Sequence, residues 1–259
     1  MKIKFLAAAA LATIGAYSSA IAADLQPPPT VYKAPPPPAP TWTGCYVGGG
    51  GGYGMWNQDS SLSVAGVPIT AQTTNGGKGW FGQGQGGCDY QFALPFLNVP
   101  LVVGAFGDYD GGNLRGVSDF LAGVGTEVQS AAWSAGGRVG AVIAPRVLTY
   151  FDGGWTQAHF NSVSYNSPIA GGGPTGLSLA AQTYNGWFIG SGFEYAIDWL
   201  PISGLFLKTE YRYSQYSSAN VPLTGGIGGI ALIGASLNSQ KTTQLISTEL
   251  VWRFNWFGR

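Results

Sequence analysis

The segment that decides the fold is Leu205–Tyr216, with the sequence LFLKTEYRYSQY. Its alternate positions from Leu205 to Tyr213 carry Leu, Leu, Thr, Tyr and Tyr, and the positions between them include Lys208, Glu210 and Arg212. Alternate residues of a β-strand point to opposite sides. The segment is therefore predicted to be a strand with one apolar face and one charged face.

The same alternation, bounded by Gly, Pro, Asn and Ser, recurs along the chain and predicts eight strands. The predicted strands are Trp42–Trp56, Gly79–Ala93, Val99–Asp110, Ala131–Ile143, Val147–Asn161, Tyr184–Trp199, Leu205–Tyr216 and Lys241–Phe254. In each of the last three, charge falls on one face only.

The connections between these segments alternate between long and short. The long ones are Asn57–Lys78, Gly111–Ser130, Ser162–Thr183 and Ser217–Gln240, and the short ones are Leu94–Asn98, Ala144–Arg146 and Leu200–Gly204. Bacterial outer-membrane barrels have an even strand number, short periplasmic turns and long outer loops. The sequence thus predicts an all-β fold, an eight-stranded antiparallel transmembrane β-barrel at 42–259. The two uncharged loops, Ser162–Thr183 and Ser217–Gln240, are expected either to form hairpins that extend the barrel or to offer an apolar contact surface.

Composition agrees with a surface that faces lipid. Only 9% of the residues are charged, against roughly 25% in soluble proteins. The tryptophans all lie near predicted strand ends, as in the aromatic girdles of membrane barrels. Those assigned to the outer rim are Trp56, Trp80, Trp133, Trp155 and Trp187, and those assigned to the inner rim are Trp42, Trp199, Trp252 and Trp256. A soluble β-sandwich with buried tryptophans is the alternative, and it does not explain charge confined to one face.

The start of the chain predicts export. Lys2 and Lys4 precede the apolar run Phe5–Ala16, and small residues follow at Ala20-Ile21-Ala22, so residues 1–22 are interpreted as a signal peptide. Residues 23–41 contain PPP and PPPP and are interpreted as a stiff periplasmic linker. The formal net charge is zero and no Lys/Arg cluster occurs, which argues against a nucleic-acid partner.

Charged residues on the inward phase are expected to fill the lumen. They are Asp89, Asp108, Arg138, Asp152, Glu194, Lys208, Glu210, Arg212, Glu249 and Arg253. Charges enclosed at membrane depth must be paired or hydrated. We expect ion pairs that plug the barrel, because eight strands leave an interior just wide enough for side chains. The alternative is a gate, in which an exchange of ion-pair partners opens a narrow water path; the residues for this exchange are Arg138, Glu194, Glu210, Arg212 and Glu249.

No residue is assigned to catalysis, to a cofactor or to a metal. His159 is the single histidine, and its strand phase predicts that it faces outward. No carboxylate lies near it in the sequence, and the nucleophile pattern G-x-S-x-G is absent. The glycine runs at 48–54 and 82–87 lack the Lys-Ser/Thr of a phosphate loop.

Cys45 and Cys88 lie on the first two predicted strands, equally far from the middle of the loop between them. Antiparallel pairing would place them opposite each other. An oxidising compartment permits a disulfide there, and the alternative is two small apolar residues facing lipid.

The segment WTGCYVGGGGGYG at 42–54 resembles the first strand of small α-proteobacterial outer-membrane barrel proteins, the porin-like surface antigens of rhizobia and their relatives. The resemblance extends over nearly the whole mature chain, through GGRVGAV, VLTYFDGGWTQAHF, GWFIGSGFEYAI, LKTEYRYSQY and the closing STELVWRF. It implies an abundant eight-stranded envelope protein similar in architecture to the OmpA transmembrane domain, and it provides no catalytic residues to carry over to this chain.

Together these observations predict a structural outer-membrane protein. A narrow passive pore for small solutes and a surface adhesion or ligand-binding protein are the alternatives. Expected partners are outer-membrane lipid and lipopolysaccharide, the barrel-assembly machinery during insertion and other copies of the chain. No cofactor is expected.

Overall fold

The computed structural model describes residues 40–95, 98–120, 123–167, 172–227, 230–231 and 234–254. The predicted signal peptide and all of the linker except residues 40 and 41 lie outside the described residues, and so does Trp256. The strands are β1 Gly44–Val64, β2 Val67–Pro68, β3 Thr73–Phe92, β4 Leu101–Phe120, β5 Gly123–Ala144, β6 Val147–Phe160, β7 Val163–Asn166, β8 Pro174–Leu179, β9 Gln182–Ala196, β10 Leu205–Tyr216, β11 Ala219–Thr224, β12 Gly226–Ile227, β13 Ile230–Ala231 and β14 Ala235–Phe254. Within the described ranges, no helix has the length and apolar character needed to cross a membrane.

Eight long strands form a closed antiparallel ring in the order β1, β3, β4, β5, β6, β9, β10 and β14. The ring closes where β1 pairs with β14, from Cys45 opposite Phe254 to Val64 opposite Ala235. Closure removes the unpaired edges that an open sheet would expose. The eight-stranded barrel predicted from the sequence is confirmed. We call the end with Gly44, Phe254 and the short turns the inner end, and the opposite end the outer end.

The strands run further toward the outer end than the sequence predicts. The predicted loop Asn57–Lys78 is reduced to a short connection, because β1 extends to Val64 and β3 begins at Thr73. The predicted loop Gly111–Ser130 is mostly strand as well, since β4 ends at Phe120 and β5 begins at Gly123. Apart from valines such as Val117 and Val124, the outward residues there are mostly polar. The apolar alternation that marks a membrane strand is therefore interrupted while the hydrogen-bonded ladder continues.

The short strands of the remaining connections close a second ring above the first. β7 pairs with β5 and β8, β8 pairs with β11, and β11 pairs with β14. The parts of the uncharged segments 162–183 and 217–240 that form β7, β8 and β11 therefore extend the barrel wall, which is one of the two outcomes expected for these segments.

The outward surface changes character at one level. Aromatic side chains face outward there, including Tyr53, Trp80, Tyr109, Trp133, Trp155, Trp187 and Tyr213. Toward the inner end the outward residues are apolar or small, and toward the outer end they are mostly polar. This aromatic ring has the position of a membrane-interface girdle.

Two tryptophans predicted for the girdle point inward instead. Trp42 and Trp56 are both fully buried. The Trp56 indole N–H donates to the Leu114 carbonyl at 2.9 Å, and Trp42 packs against Phe206. For Trp56, which lies in β1, strand alternation rather than the preference of tryptophan for interfaces determines the side that it faces.

Candidate functional site

The lumen is filled by three groups of polar side chains, and all ten inward charges predicted from the sequence are buried in it. The lower cluster, near the inner end, consists of Asp89, Arg138, Glu194 and Arg253. The middle cluster consists of Asp108, Asp152, Lys208, Glu210, Arg212 and Glu249. The upper cluster, toward the outer end, consists of Gln58, Glu127 and Lys241.

The lower cluster is a closed ring of two guanidinium groups and two carboxylates. Arg138 donates to Asp89 through Nε at 2.9 Å and to Glu194 Oε1 at 2.6 Å. Arg253 donates to Asp89 Oδ2 and to Glu194 Oε2, both at 2.6 Å. The side chains come from β3, β5, β9 and β14, so the ring ties together strands on different sides of the barrel. Each carboxylate contacts both cations, so the four buried charges of the ring balance.

Aromatic faces complete the packing of the lower cluster. The guanidinium carbons of Arg138 and Arg253 lie 4.8 Å and 4.7 Å from the centre of the Tyr46 ring. Cation–π attraction is strongest where the cation is desolvated. Gly104 leaves room for this arrangement, because a Cβ at that position would overlap the Asp89 carboxylate.

In the middle cluster, Glu210 joins the two cations. Lys208 Nζ lies 2.8 Å from Glu210 Oε2, and Arg212 donates to Glu210 Oε1 at 2.7 Å. The Tyr150 hydroxyl also donates to Glu210, at 2.9 Å. Arg212 continues the chain of contacts to Asp108 at 2.9 Å. This cluster spans the lumen from β10 to β4.

The upper cluster was not predicted from the sequence. Lys241 is fully buried, donates to Glu127 at 2.7 Å and to Gln58, and lies 4.2 Å from the centre of the Phe160 ring. Lys241 lies an even number of residues from Glu249 and Arg253 in the same strand, so it faces the same side. Strand alternation could therefore have identified it as an inward residue. Glu127 could not be found in this way, because a bulge between Gln129 and Ala131 shifts the phase of β5.

An apolar cluster closes the lumen beyond Lys241. It is formed by buried residues that include Leu62, Tyr165, Leu177, Leu179, Val221, Leu223 and Leu237. Several of these come from β7, β8 and β11, the strands of the second ring. A solute entering from the outer end would have to displace this packed layer before reaching the charges.

The buried charges do not balance. Among the described residues eight carboxylates and five cations are buried. Several of the acidic oxygens, including both of Asp152 and one of Asp110, have no hydrogen-bond partner. Buried polar groups of this kind are commonly satisfied by ordered water.

The other candidate residues lie outside the lumen. Cys45 and Cys88 are opposite each other and are joined by a disulfide on the outward face of β1 and β3. His159 faces outward, with Nδ1 3.0 Å from the Thr183 hydroxyl. The part of the chain that the structure describes contains no group of three or more His, Cys, Asp or Glu residues arranged to hold a metal.

No protein-family model matches the chain. The 31 kDa outer-membrane immunogenic protein of Brucella melitensis is 28% identical over 229 residues, covering 82% of this chain and 88% of that protein. Its counterpart in Brucella suis matches equally. The predicted resemblance to α-proteobacterial outer-membrane surface antigens is thereby confirmed, and the chain is an outer-membrane β-barrel protein.

Outer-membrane barrels of known structure are less similar to this chain in sequence. Outer membrane protein OprG from Pseudomonas aeruginosa is 11% identical with a TM-score of 0.45, covering 82% of this chain and 97% of its own. The outer membrane protease OmpT from Escherichia coli is 10% identical with a TM-score of 0.41, covering 83% of this chain and 98% of its own.

Proposed function

We propose that this chain is a structural protein of the outer membrane, with a lumen closed by ion pairs and without catalytic activity. The observation that carries the proposal is the three clusters of buried, paired charges that follow one another along the lumen. Glu194, Lys208 and Lys241 are each at most 1% exposed. An eight-stranded barrel has an interior that side chains can fill, and here large charged and aromatic side chains occupy it.

The closure has two parts in series. Opening the charged clusters would require several buried ion pairs to separate together, and leaving one buried charge without its partner costs about 3–5 kcal/mol. The apolar cluster beyond Lys241 must also part before water could pass. This redundancy favours a structural role over a gated channel.

Single-channel recording in planar phosphatidylcholine bilayers tests the proposal. We expect no current steps from the wild-type barrel, with a sixteen-stranded porin as the positive control. The variant Glu194→Ala/Arg138→Ala removes one charge of each sign from the lower cluster and should stay closed, because the other two clusters and the apolar layer remain. Large, steady wild-type currents would overturn the proposal.

A narrow passive pore is the second candidate, and one observation favours it. Oxygens of Asp110 and Asp152 in the lumen have no hydrogen-bond partner, and buried polar groups of this kind are commonly satisfied by ordered water. The excess of buried carboxylates would make such a path prefer cations. Small currents whose reversal potential follows a cation gradient would support this candidate over the closed barrel.

The absence of catalysis remains part of the proposal. It is supported by the outward position of His159, which contacts Thr183 rather than a carboxylate. An envelope-lipid enzyme would require lipid-modifying activity that is lost in His159→Ala. Surface adhesion is a further alternative, and variants lacking the tips of the second ring would lose binding to host or envelope components if it were correct.

The partners also remain proposals. They are outer-membrane lipid and lipopolysaccharide around the barrel, the barrel-assembly machinery during insertion, and further copies of the chain. The predicted signal peptide at 1–22 and linker at 23–41 belong to the same proposal, because export is required for insertion from the periplasm.

A further inference from the structure

Outward residues just beyond the aromatic ring form a mostly polar belt that, on six of the eight long strands, carries no cation and a single anion, Asp59 on β1. Its uncharged members include Asn57, Ser130, Gln157, Asn185, Gln215 and Gln244. The exception is the sector formed by β3 and β4. Lys78 and Arg115 face outward there, in the same belt.

Lys78 and Arg115 are directly opposite each other in the β3–β4 ladder. Like charges in this position repel each other and destabilise the pairing of the strands. Neither side chain takes part in any ion pair of the described residues. Within the described ranges, the pair therefore has no carboxylate at ion-pair distance.

The other described lysines and arginines all have a carboxylate partner. Five of the eight described lysines and arginines are buried and paired with carboxylates in the lumen. Arg146, near the inner end, pairs with Asp198 at 2.5 Å. In the described ranges, Lys78 and Arg115 are thus the two cations without a carboxylate partner, and they are neighbours.

The membrane position of the pair indicates what would supply the missing charge. Trp80 is two residues from Lys78 on the same face and is 74% exposed, as expected for a girdle residue at the boundary of the hydrocarbon. Lipid phosphate groups lie just beyond that boundary. The stems of Lys and Arg can run along apolar surface while their charged ends reach the headgroups.

We propose that Lys78 and Arg115 together hold a phosphate group of an anionic lipid in the outer leaflet. The planar guanidinium can form two parallel hydrogen bonds to phosphate oxygens, and the ammonium adds a point charge from the neighbouring strand. The phosphate also removes the repulsion between the two cations. This inference rests on the proposed contact with outer-membrane lipid, and it assigns that contact to one sector of the barrel, formed by β3 and β4.

Native mass spectrometry of the detergent-solubilised barrel with diphosphorylated lipid A tests the site. The variant Lys78→Gln/Arg115→Gln should bind about thirtyfold more weakly than wild type, the loss expected for two cations beside anionic lipid. Arg146→Gln is the matched control. It removes a half-exposed cation from the other end of the barrel and should bind as wild type does.

The same experiment identifies the source of the phosphate. Lipid A stripped of its phosphates should bind wild type and the double variant equally, and inorganic phosphate at millimolar concentration should not displace intact lipid A. Equal binding of intact lipid A to wild type and the double variant would overturn the proposal, as would displacement by inorganic phosphate. The double variant should retain the wild-type shift in gel mobility on heating, and its conductance should be unchanged, so failure here is distinct from failure of the closed-barrel proposal.

Discussion

Replacing Glu194 by glutamine is expected to destabilise the barrel more than any single change to a surface ion pair. Glu194 accepts hydrogen bonds from Arg138 and Arg253, both at 2.6 Å, and is fully buried. Glutamine has nearly the same shape but no charge. The lower cluster would then hold two buried cations and only one carboxylate, that of Asp89.

The magnitude follows from the geometry. Two unit charges about 4 Å apart attract by about 4 kcal/mol at an effective dielectric constant of about 20, and Glu194 makes two such contacts. Relief of the desolvation of the carboxylate and the remaining amide hydrogen bond offset part of this loss. We therefore expect a decrease in the free energy of unfolding of about 3–5 kcal/mol, the usual cost of breaking a buried pair.

Urea unfolding in phospholipid vesicles, followed by tryptophan fluorescence, measures the effect. With a slope of about 2 kcal/mol per molar urea, the midpoint should fall by on the order of 2 M. Asp198→Asn is the control, because its half-exposed pair with Arg146 should contribute about 0–1 kcal/mol. Glu194→Gln/Arg138→Gln restores neutrality and should lose less than the sum of the single changes. A Glu194→Gln midpoint no lower than that of Asp198→Asn would refute this account of the lower cluster.

Three further outcomes are expected. Unboiled protein should migrate differently from boiled protein on a detergent gel, because a closed barrel resists detergent until it is heated; identical mobility would contradict a barrel. Denatured, unreduced protein should take up no maleimide and reduced protein should take up two, because Cys45 and Cys88 are bonded; labelling before reduction would show free thiols. Gly50→Ala should lower the free energy of unfolding by about 1–3 kcal/mol, since its Cβ would lie 2.6 Å from Glu249 Cα. Gly84→Ala, where nothing lies within 4 Å of the added Cβ, should change the free energy of unfolding by less than about 0.5 kcal/mol. If the two variants lost the same stability, the close contact between β1 and β14 at Gly50 would have to relax without cost.

The sequence alone was sufficient to predict the strands that form the barrel wall within the membrane. Leu205–Tyr216 separates apolar from charged residues at every second position, and this period is a property of the strand itself. The same local rule placed Arg138, Glu194 and Arg253 inside. It did so because each side chain's direction depends only on its position within its own strand.

Strand alternation did not predict the outer halves of the strands, beyond the aromatic ring. Outward Ser, Thr, Asn and Gly in β1, β3 and β14 do not differ in character from loop residues, so the outer halves of these strands were assigned to connections. Their strand conformation comes from the hydrogen-bonded partners on either side, such as Ser60 with Thr73 and Ser239. A connection and a paired strand of this composition cannot be distinguished without those partners.

The choice of ion-pair partners was decided by the tertiary structure. Arg138 is 49 residues from Asp89 and 56 from Glu194, and Lys241 is 114 residues from Glu127. Alternation determines only that these side chains face inward. Which of them meet depends on the register and tilt with which eight strands close, because a shift along the barrel brings a different residue to each level of the lumen.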